Sequence, residues 1–206
     1  MIVVIDYGMG NLGSIMNMLK KVRADAVISS NPADIEKADK LLLPGVGAFD
    51  SGMKNLGDSG LITVLKHKII ENKAPILGVC LGMQLFTKSS EEGNLAGLGW
   101  INAETVKFKF DEIQSSRNKI PHMGWNTVEI TQKSWLFNDM YPEPRFYFLH
   151  SYHVHCNDTE NILTTTFHGY SFVSSVIQGN IAGVQFHPEK SHKFGMKLLS
   201  NFVRLA

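Results

Sequence analysis

Pro75-Ile76-Leu77-Gly78-Val79-Cys80-Leu81-Gly82-Met83-Gln84-Leu85 is the stretch on which the fold turns. Ile76 to Val79 is a short, wholly apolar run, the pattern of a strand buried on both faces. A helical pattern follows from Leu81 to Lys88. A strand that turns sharply into a helix, with glycines at 78 and 82 around a cysteine, has the layout of a nucleophile elbow. Cysteine stands where hydrolases of the G-x-S-x-G type carry serine. The turn strains the central residue, the glycines remove side chains that would clash, and the sulfur of Cys80 is left above the sheet. The N–H of Leu81, at the helix start, is placed to bind an oxyanion. A lone cysteine beside an apolar strand is more often a buried, inert thiol. The two glycines and the strand–helix junction favour the nucleophile. Cys156 has no such setting and reads as inert.

Outward from this elbow, the first half of the chain alternates strands and helices. Ile2 to Ile5 is another doubly buried strand. A glycine loop follows, and Leu12, Ile15, Met16, Leu19 and Val22 then fall at helical spacing. Ala26-Val27-Ile28 is a second strand. Asn31-Pro32 opens a short helix, with Asn as cap and Pro in the first turn. Leu41-Leu42-Leu43 is a third strand, ended by Pro44-Gly45-Val46-Gly47, and Leu61, Val64, Leu65, Ile69 and Ile70 mark a further helix. This order argues for an α/β fold with an open, mostly parallel central sheet flanked by helices. From Trp100 to Phe186 short strands with turn signals take over: Thr127 to Ile130, Arg145 to Phe148, and a hairpin at Gly179-Asn180. These add antiparallel strands to the C-terminal half. Phe194, Leu198 and Phe202 suggest a closing helix. There is no repeat or linker, so residues 1–206 are expected to form a single domain.

A thiol hydrolase needs a base, and the base needs a partner that fixes its tautomer. Ile181 to Phe186 is a strand that runs into His187-Pro188-Glu189. Proline holds the residue before it in an extended conformation. In an extended chain residues i and i+2 share a side, so Glu189 can orient the imidazole of His187. Cys80 and His187 both follow strands directly, which puts both at the carboxyl edge of a parallel sheet.

Composition narrows the rest. The chain has 206 residues, 44% hydrophobic and 19% charged, with a net charge of +1. That balance gives no electrostatic case for nucleic acid or an anionic membrane as partner. No apolar run approaches the roughly 20 residues of a membrane helix, and Met1 to Asp6 reads as a strand rather than a signal peptide. Two cysteines do not make a disulfide framework, and a reducing cytoplasm is the expected location. Eight histidines, among them His150, His153 and His155, raise the question of a metal. No acidic or cysteine ligand completes a recognisable spacing, so no metal site is expected. Gly8-Met9-Gly10-Asn11-Leu12-Gly13 matches G-x-G-x-x-G, which offers a rival function, a dinucleotide-binding oxidoreductase. The next strand ends in Ser29-Ser30-Asn31, without the acidic residue that holds ribose hydroxyls. A tight structural turn is the better reading, and no cofactor is expected.

At this point the residues resemble a known family, the class I (triad) glutamine amidotransferases. Within it they resemble the glutaminase subunits of imidazole glycerol phosphate synthesis, in histidine biosynthesis. The matching stretches are Asp6 to Leu12, Leu43 to Phe49, Gly78 to Leu85, Pro121-His122-Met123-Gly124-Trp125-Asn126, His150-Ser151-Tyr152 and Gln185 to Ser191. The resemblance implies a flavodoxin-like sheet and glutamine hydrolysis through a thioester. Cys80 would be the nucleophile, His187 the acid and base, and Glu189 the orienting carboxylate. It implies an oxyanion hole at Val46, Gly47 and Leu81, and contacts to L-glutamine from Gly47, Gln84, Glu92, Ser151 and Tyr152. It further implies a heterodimer with a synthase or cyclase subunit built as a (β/α)8 barrel, met by Asn11, Met123, Trp125 and Lys190. Gly13 departs from the basic or larger residue of many members. A paralogue that supplies ammonia to a sugar-amidating synthetase of surface polysaccharides fits the same residues.

Overall fold

The structure, a computed structural model, describes residues 1–206. Its strands are β1 (Ile2–Ile5), β2 (Ala26–Ser29), β3 (Lys40–Gly45), β4 (Ile76–Cys80), β5 (Ala103–Lys107), β6 (His122–Thr127), β7 (Glu129–Ile130), β8 (Arg145–His150), β9 (Tyr152–Cys156), β10 (Ile162–His168), β11 (Tyr170–Gln178) and β12 (Ile181–Val184). Its helices are α1 (Leu12–Lys21), α2 (Pro32–Lys37), α3 (Phe49–Asp58), α4 (Leu61–Lys66), α5 (Leu81–Leu85), α6 (Glu112–Arg117) and α7 (His192–Leu205).

The main sheet runs β2-β1-β3-β4-β12-β11-β10-β7. The first five strands are parallel, and the pairings β12–β11, β11–β10 and β10–β7 are antiparallel. This is an α/β fold with a mostly parallel sheet and antiparallel additions from the C-terminal half. Alternation along each central strand divides the core between its faces. Val3, Ile5, Leu41 and Leu43 pack against Phe49, Leu56, Leu61 and Leu65 on one side. Ile2, Val4, Leu42 and Leu77 pack against Ile15, Leu19, Leu198 and Phe202 on the other. No helix is long and apolar enough to cross a membrane.

Several boundaries differ from the sequence reading, each for a physical reason. The third strand does not end at Leu43 but continues through Pro44 to Gly45. Leu41 donates its N–H toward the β4 side, to Pro75, so Pro44, three residues on, faces the β1 side. There β1 pairs only as far as Leu42, and the missing N–H costs nothing. The helix after Cys80 stops at Leu85 rather than reaching Lys88. Thr87 turns its hydroxyl onto the Gln84 carbonyl at 2.7 Å, and Lys88 donates to Ala103 instead of continuing the helix. Thr127 to Ile130 is not one strand: Thr127 ends β6, and Glu129–Ile130 is a separate short strand on β10. Beyond Lys66, α4 widens into a π-helical turn over His67–Glu71. Helix α3 carried no clear sequence signal, whereas α6 opens on a capping box of Asp111 and Gln114 that the sequence reading passed over.

A two-stranded ribbon, β6–β8, stands apart from the main sheet and pairs Met123 with Leu149 and Trp125 with Tyr147. It joins the sheet through a bridge in which His187 donates its N–H to Tyr147 at 2.8 Å. Beneath it lies an aromatic layer in which Phe108 packs on His150, His153 and Phe172 at 4.7–5.3 Å. On β9, His153 is buried, whereas His155, two residues along the same strand face, is exposed. Burial pulls His122 down to about 3 and His153 to about 4, and lowers His150 well below the ordinary value of 6.5. These rings are therefore neutral in the fold, whereas the unfolded chain takes up their protons below 6.5. Between that value and about 4 the unfolded state binds more protons, so stability is full above 6.5 and falls as the pH drops. The slope reaches about 1.4 kcal/mol per pH unit for each such histidine. Melting temperatures between pH 8 and pH 4 are expected to fall below pH 6.5, and His153→Gln is expected to flatten the fall. An unchanged slope in the variant would contradict this.

Candidate active site

The parallel pairing of β4 with β12 matches Gly78 with Gly183 and Val79 with Val184. One step further along each strand stand Cys80 and Gln185, and two more bring His187 to the same edge. Two remote segments thus deliver the sulfur and the imidazole to one place. Cys80 has φ 55° and ψ −110°, a left-handed conformation that costs a non-glycine residue about 1–3 kcal/mol. The neighbouring glycine is obligatory: a Cβ at Gly82 would collide with the Leu43 carbonyl. Relief of that contact lets α5 start directly after the strand.

His187 has the extended backbone that Pro188 demands, φ −101° and ψ 95°. Its Nδ1 lies 2.8 Å from Glu189 Oε1, with both side chains almost wholly buried. A carboxylate oxygen accepts, so Nδ1 carries a proton and Nε2 is the nitrogen left on the Cys80 side. Nε2 has no hydrogen-bond partner. Burial works against a charged imidazole, but the Cys80 sulfur and the Glu189 carboxylate outweigh it and raise His187 to about 10. The imidazole therefore holds its second proton readily beside these two groups.

A cleft of about 460 Å³ opens over Cys80 and His187. Val46, Gly47, Leu81, Gln84, Glu92, Ser151 and Tyr152 all line it, with Ala48, Leu149, His150 and Lys190. Gly47 sits at φ 114°, which leaves its loop able to turn either peptide face inward. The Gln84 side chain donates from Nε2 to the Tyr152 carbonyl at 3.1 Å and to Gln185 Oε1 at 3.0 Å. Its own Oε1 is left without a protein partner. Glu92 accepts the Phe49 N–H at 2.8 Å and so caps α3 from 43 residues away. Its neighbour Glu91 turns outward to Lys107 and Lys109. Glu189 stands behind His187, outside the cleft.

Of the residues assigned to a partner face, Met123 and Trp125 are exposed on the ribbon beside the cleft. Trp125 stacks on His192, and the Lys190 ammonium lies 5.4 Å from the Tyr147 ring centre. Asn11 is exposed and caps α1 by accepting the Ser14 N–H at 3.1 Å. The G-x-G-x-x-G loop is a tight turn: Gly10, at φ 95°, presses on the backbone of Pro44 and Gly45. No group of three or more His, Cys, Asp or Glu is arranged to hold a metal ion. A larger groove of about 730 Å³ lies at the opposite end of the sheet, lined by Met53, Trp100 and Asn180 among others, and holds no cysteine, serine or histidine.

A family model, glutamine amidotransferase class-I, matches residues 3–206. The chain belongs to the class-I glutamine amidotransferases. Among its relatives, the imidazole glycerol phosphate synthase subunit HisH 2 of Methanococcus maripaludis is 58% identical over 206 residues, covering all of both chains. The HisH 2 subunit of Pseudomonas aeruginosa is 48% identical over 205 residues, and the HisH 1 subunit of Campylobacter jejuni 48% over 206, again covering all of both chains. A glutamine amidotransferase of Thermotoga maritima shares the fold at 18% identity and a TM-score of 0.65, with 91% of this chain and 75% of that one covered. PurLQS of the same organism does so at 17% identity and a TM-score of 0.69, with 97% and 95% covered.

One group at the amidotransferase site was not singled out in the sequence, Gln185, and His150 was weighed there only as a possible metal ligand. Gln185 is fully buried and donates from Nε2 to Cys80 Sγ at 3.7 Å. The only local signal was its position two residues before His187 on the same strand face. Removing the negative charge behind the imidazole by Glu189→Gln should lower the pH at which His187 loses its proton by about 1–3 units. NMR titration of the ring checks this, and an unshifted midpoint would show that Glu189 does not support the charge.

Proposed function

We propose that this enzyme is the glutaminase subunit of an imidazole glycerol phosphate synthase, and that residues 1–206 act as one catalytic domain with Cys80, His187 and Glu189 as its triad. The observation that carries the reading is the meeting of a strained, cleft-facing thiol with a buried imidazole whose far nitrogen is held by a carboxylate. L-Glutamine enters with its carboxamide over Sγ. The sulfur attacks the carboxamide carbon, and the C=O electrons move onto oxygen. The Leu81 N–H and an N–H of the Val46–Gly47 loop receive that oxyanion. His187 gives a proton to the departing nitrogen, the C–N bond breaks, and ammonia leaves a γ-glutamyl thioester. His187 then takes a proton from water as the hydroxide adds to the thioester, and glutamate is released with the thiol restored.

Gln84, Glu92, Ser151 and Tyr152 surround the position of the amino-acid end of the substrate. Gln84 Oε1 and the free oxygen of Glu92 are acceptors suited to its ammonium group. The ribbon residues Met123 and Trp125, with Asn11 and Lys190, supply the face for a synthase subunit of (β/α)8-barrel form. Ammonia in water at neutral pH is largely ammonium and not nucleophilic, which favours delivery inside a closed complex. That complex would work in the cytoplasm.

Cys80→Ala in the complex with its synthase is expected to abolish glutamine-dependent synthesis while leaving synthesis from added ammonium salts. Retained glutamine turnover would overturn the assignment of the nucleophile. The same preparation identifies the acceptor: a barrel cyclase that co-purifies supports the histidine pathway, and a sugar-amidating synthetase supports the paralogue.

A further inference from the structure

The β6–β8 ribbon and the reactive sulfur are joined by a run of hydrogen bonds whose direction is forced at each link. The Tyr152 carbonyl can only accept, so His150 donates to it from Nδ1, at 2.7 Å. A neutral His150 then accepts at Nε2, and its partner at 3.0 Å is Nδ1 of His122. His122 in turn accepts at Nε2 from the Asn126 amide at 3.2 Å. The second amide proton of Asn126 goes to the Phe167 carbonyl at 2.9 Å, and its oxygen accepts the Thr127 N–H at 2.8 Å. Burial keeps both histidines neutral, which gives each ring the single proton this arrangement requires.

The run does not stop at Tyr152. Its carbonyl also accepts from Gln84 Nε2, whose other proton goes to Gln185 Oε1, and Gln185 Nε2 donates to Cys80 Sγ. Every side chain between Asn126 and Cys80 in this run is at least nine-tenths buried. On β6 the alternation is strict: Met123 and Trp125 face solvent, while His122 and Asn126 turn toward the run.

We propose that His122, His150 and Gln185 are positioning residues for glutamine hydrolysis, which hold the Tyr152 carbonyl and the Cys80 sulfur in place through one hydrogen-bonded chain anchored on the exposed ribbon. This rests on the glutaminase reading above. The N–H of Gln185 fixes the direction from which Sγ presents its reactive lone pair. The histidine pair fixes the carbonyl against which Gln84, and through it Gln185, is set. Two buried rings that keep neutral tautomers give the chain one register only, because reversal at any link would set two donors or two acceptors face to face.

The test uses the full complex with its synthase. It measures glutamate release for kcat and KM, and the rate at which iodoacetamide alkylates Cys80. Gln185→Met keeps length and burial but removes the donor; kcat and the alkylation rate should each fall about tenfold with KM little changed, as for loss of one hydrogen bond. His122→Phe leaves His150 Nε2 and the Asn126 amide unpaired and should give a similar loss of kcat. His122→Asn places an amide N–H where Nδ1–H stood, and should recover most of that loss. Full activity in Gln185→Met overturns the proposal, as does equal impairment of His122→Phe and His122→Asn, which would mark His122 as packing only. If His122→Phe fails to fold, Gln185→Met decides alone. If the unsubstituted complex releases no glutamate, or Cys80→Ala still does, the glutaminase reading fails instead.

Discussion

The parallel register of β4 against β12 is the constraint on which the site depends. It sets Val79 beside Val184, and from that single match follow the approach of Gln185 to the sulfur and the arrival of His187 at the same edge. The two strands lie about a hundred residues apart in the chain. A slip by one residue would send Cys80 and His187 to opposite faces, because side chains alternate with a period of two. Fully apolar strands buried on both sides leave such a slip little to discriminate against by polarity. Close packing supplies the discrimination instead. Gly78 and Gly183 stand opposite each other, and a Cβ on either would run into α5, against Phe86 or Met83.

Strain and charge are stored together at this edge. Cys80 occupies a conformation that a non-glycine residue adopts only when its surroundings enforce it. Here the enforcement is the doubly buried strand before it and the glycine-relieved packing of α5 after it. Two unpartnered buried atoms, His187 Nε2 and Glu189 Oε2, lie beside that strained residue. Groups of this kind are costly in a folded chain and cluster where chemistry needs them. The proposed triad is therefore a set of local costs offset by the large apolar core on both faces of the sheet.

The legible parts of the sequence were those governed by near neighbours. The elbow was readable because Gly78, Cys80 and Gly82 act within five residues, and the pairing of His187 with Glu189 because Pro188 fixes the chain between them. The parallel half of the sheet followed from the alternation of apolar runs with helical spacing. What was not legible depends on partners far along the chain. Helix α3 has Phe49, Met53 and Leu56 at helical spacing, yet it holds two glycines and no local cap, since Glu92 provides the cap. The early end of α5 depends on Ala103 receiving the N–H of Lys88. Gln185 looked like an ordinary strand residue, because only the strand register reveals that it faces the sulfur. His150 drew attention as a possible metal ligand, whereas burial among aromatic rings makes it, together with His122, a neutral link in a hydrogen-bonded chain.

The central claim is that the sulfur of Cys80 becomes covalently acylated. Mass spectrometry of the complex, quenched in acid during steady-state turnover of glutamine, reads this directly. A γ-glutamyl mass on the Cys80 peptide, with the Cys156 peptide unmodified, is the predicted result. An unmodified Cys80 peptide in single-turnover samples that have already released ammonia, or label on Cys156 alone, would contradict it.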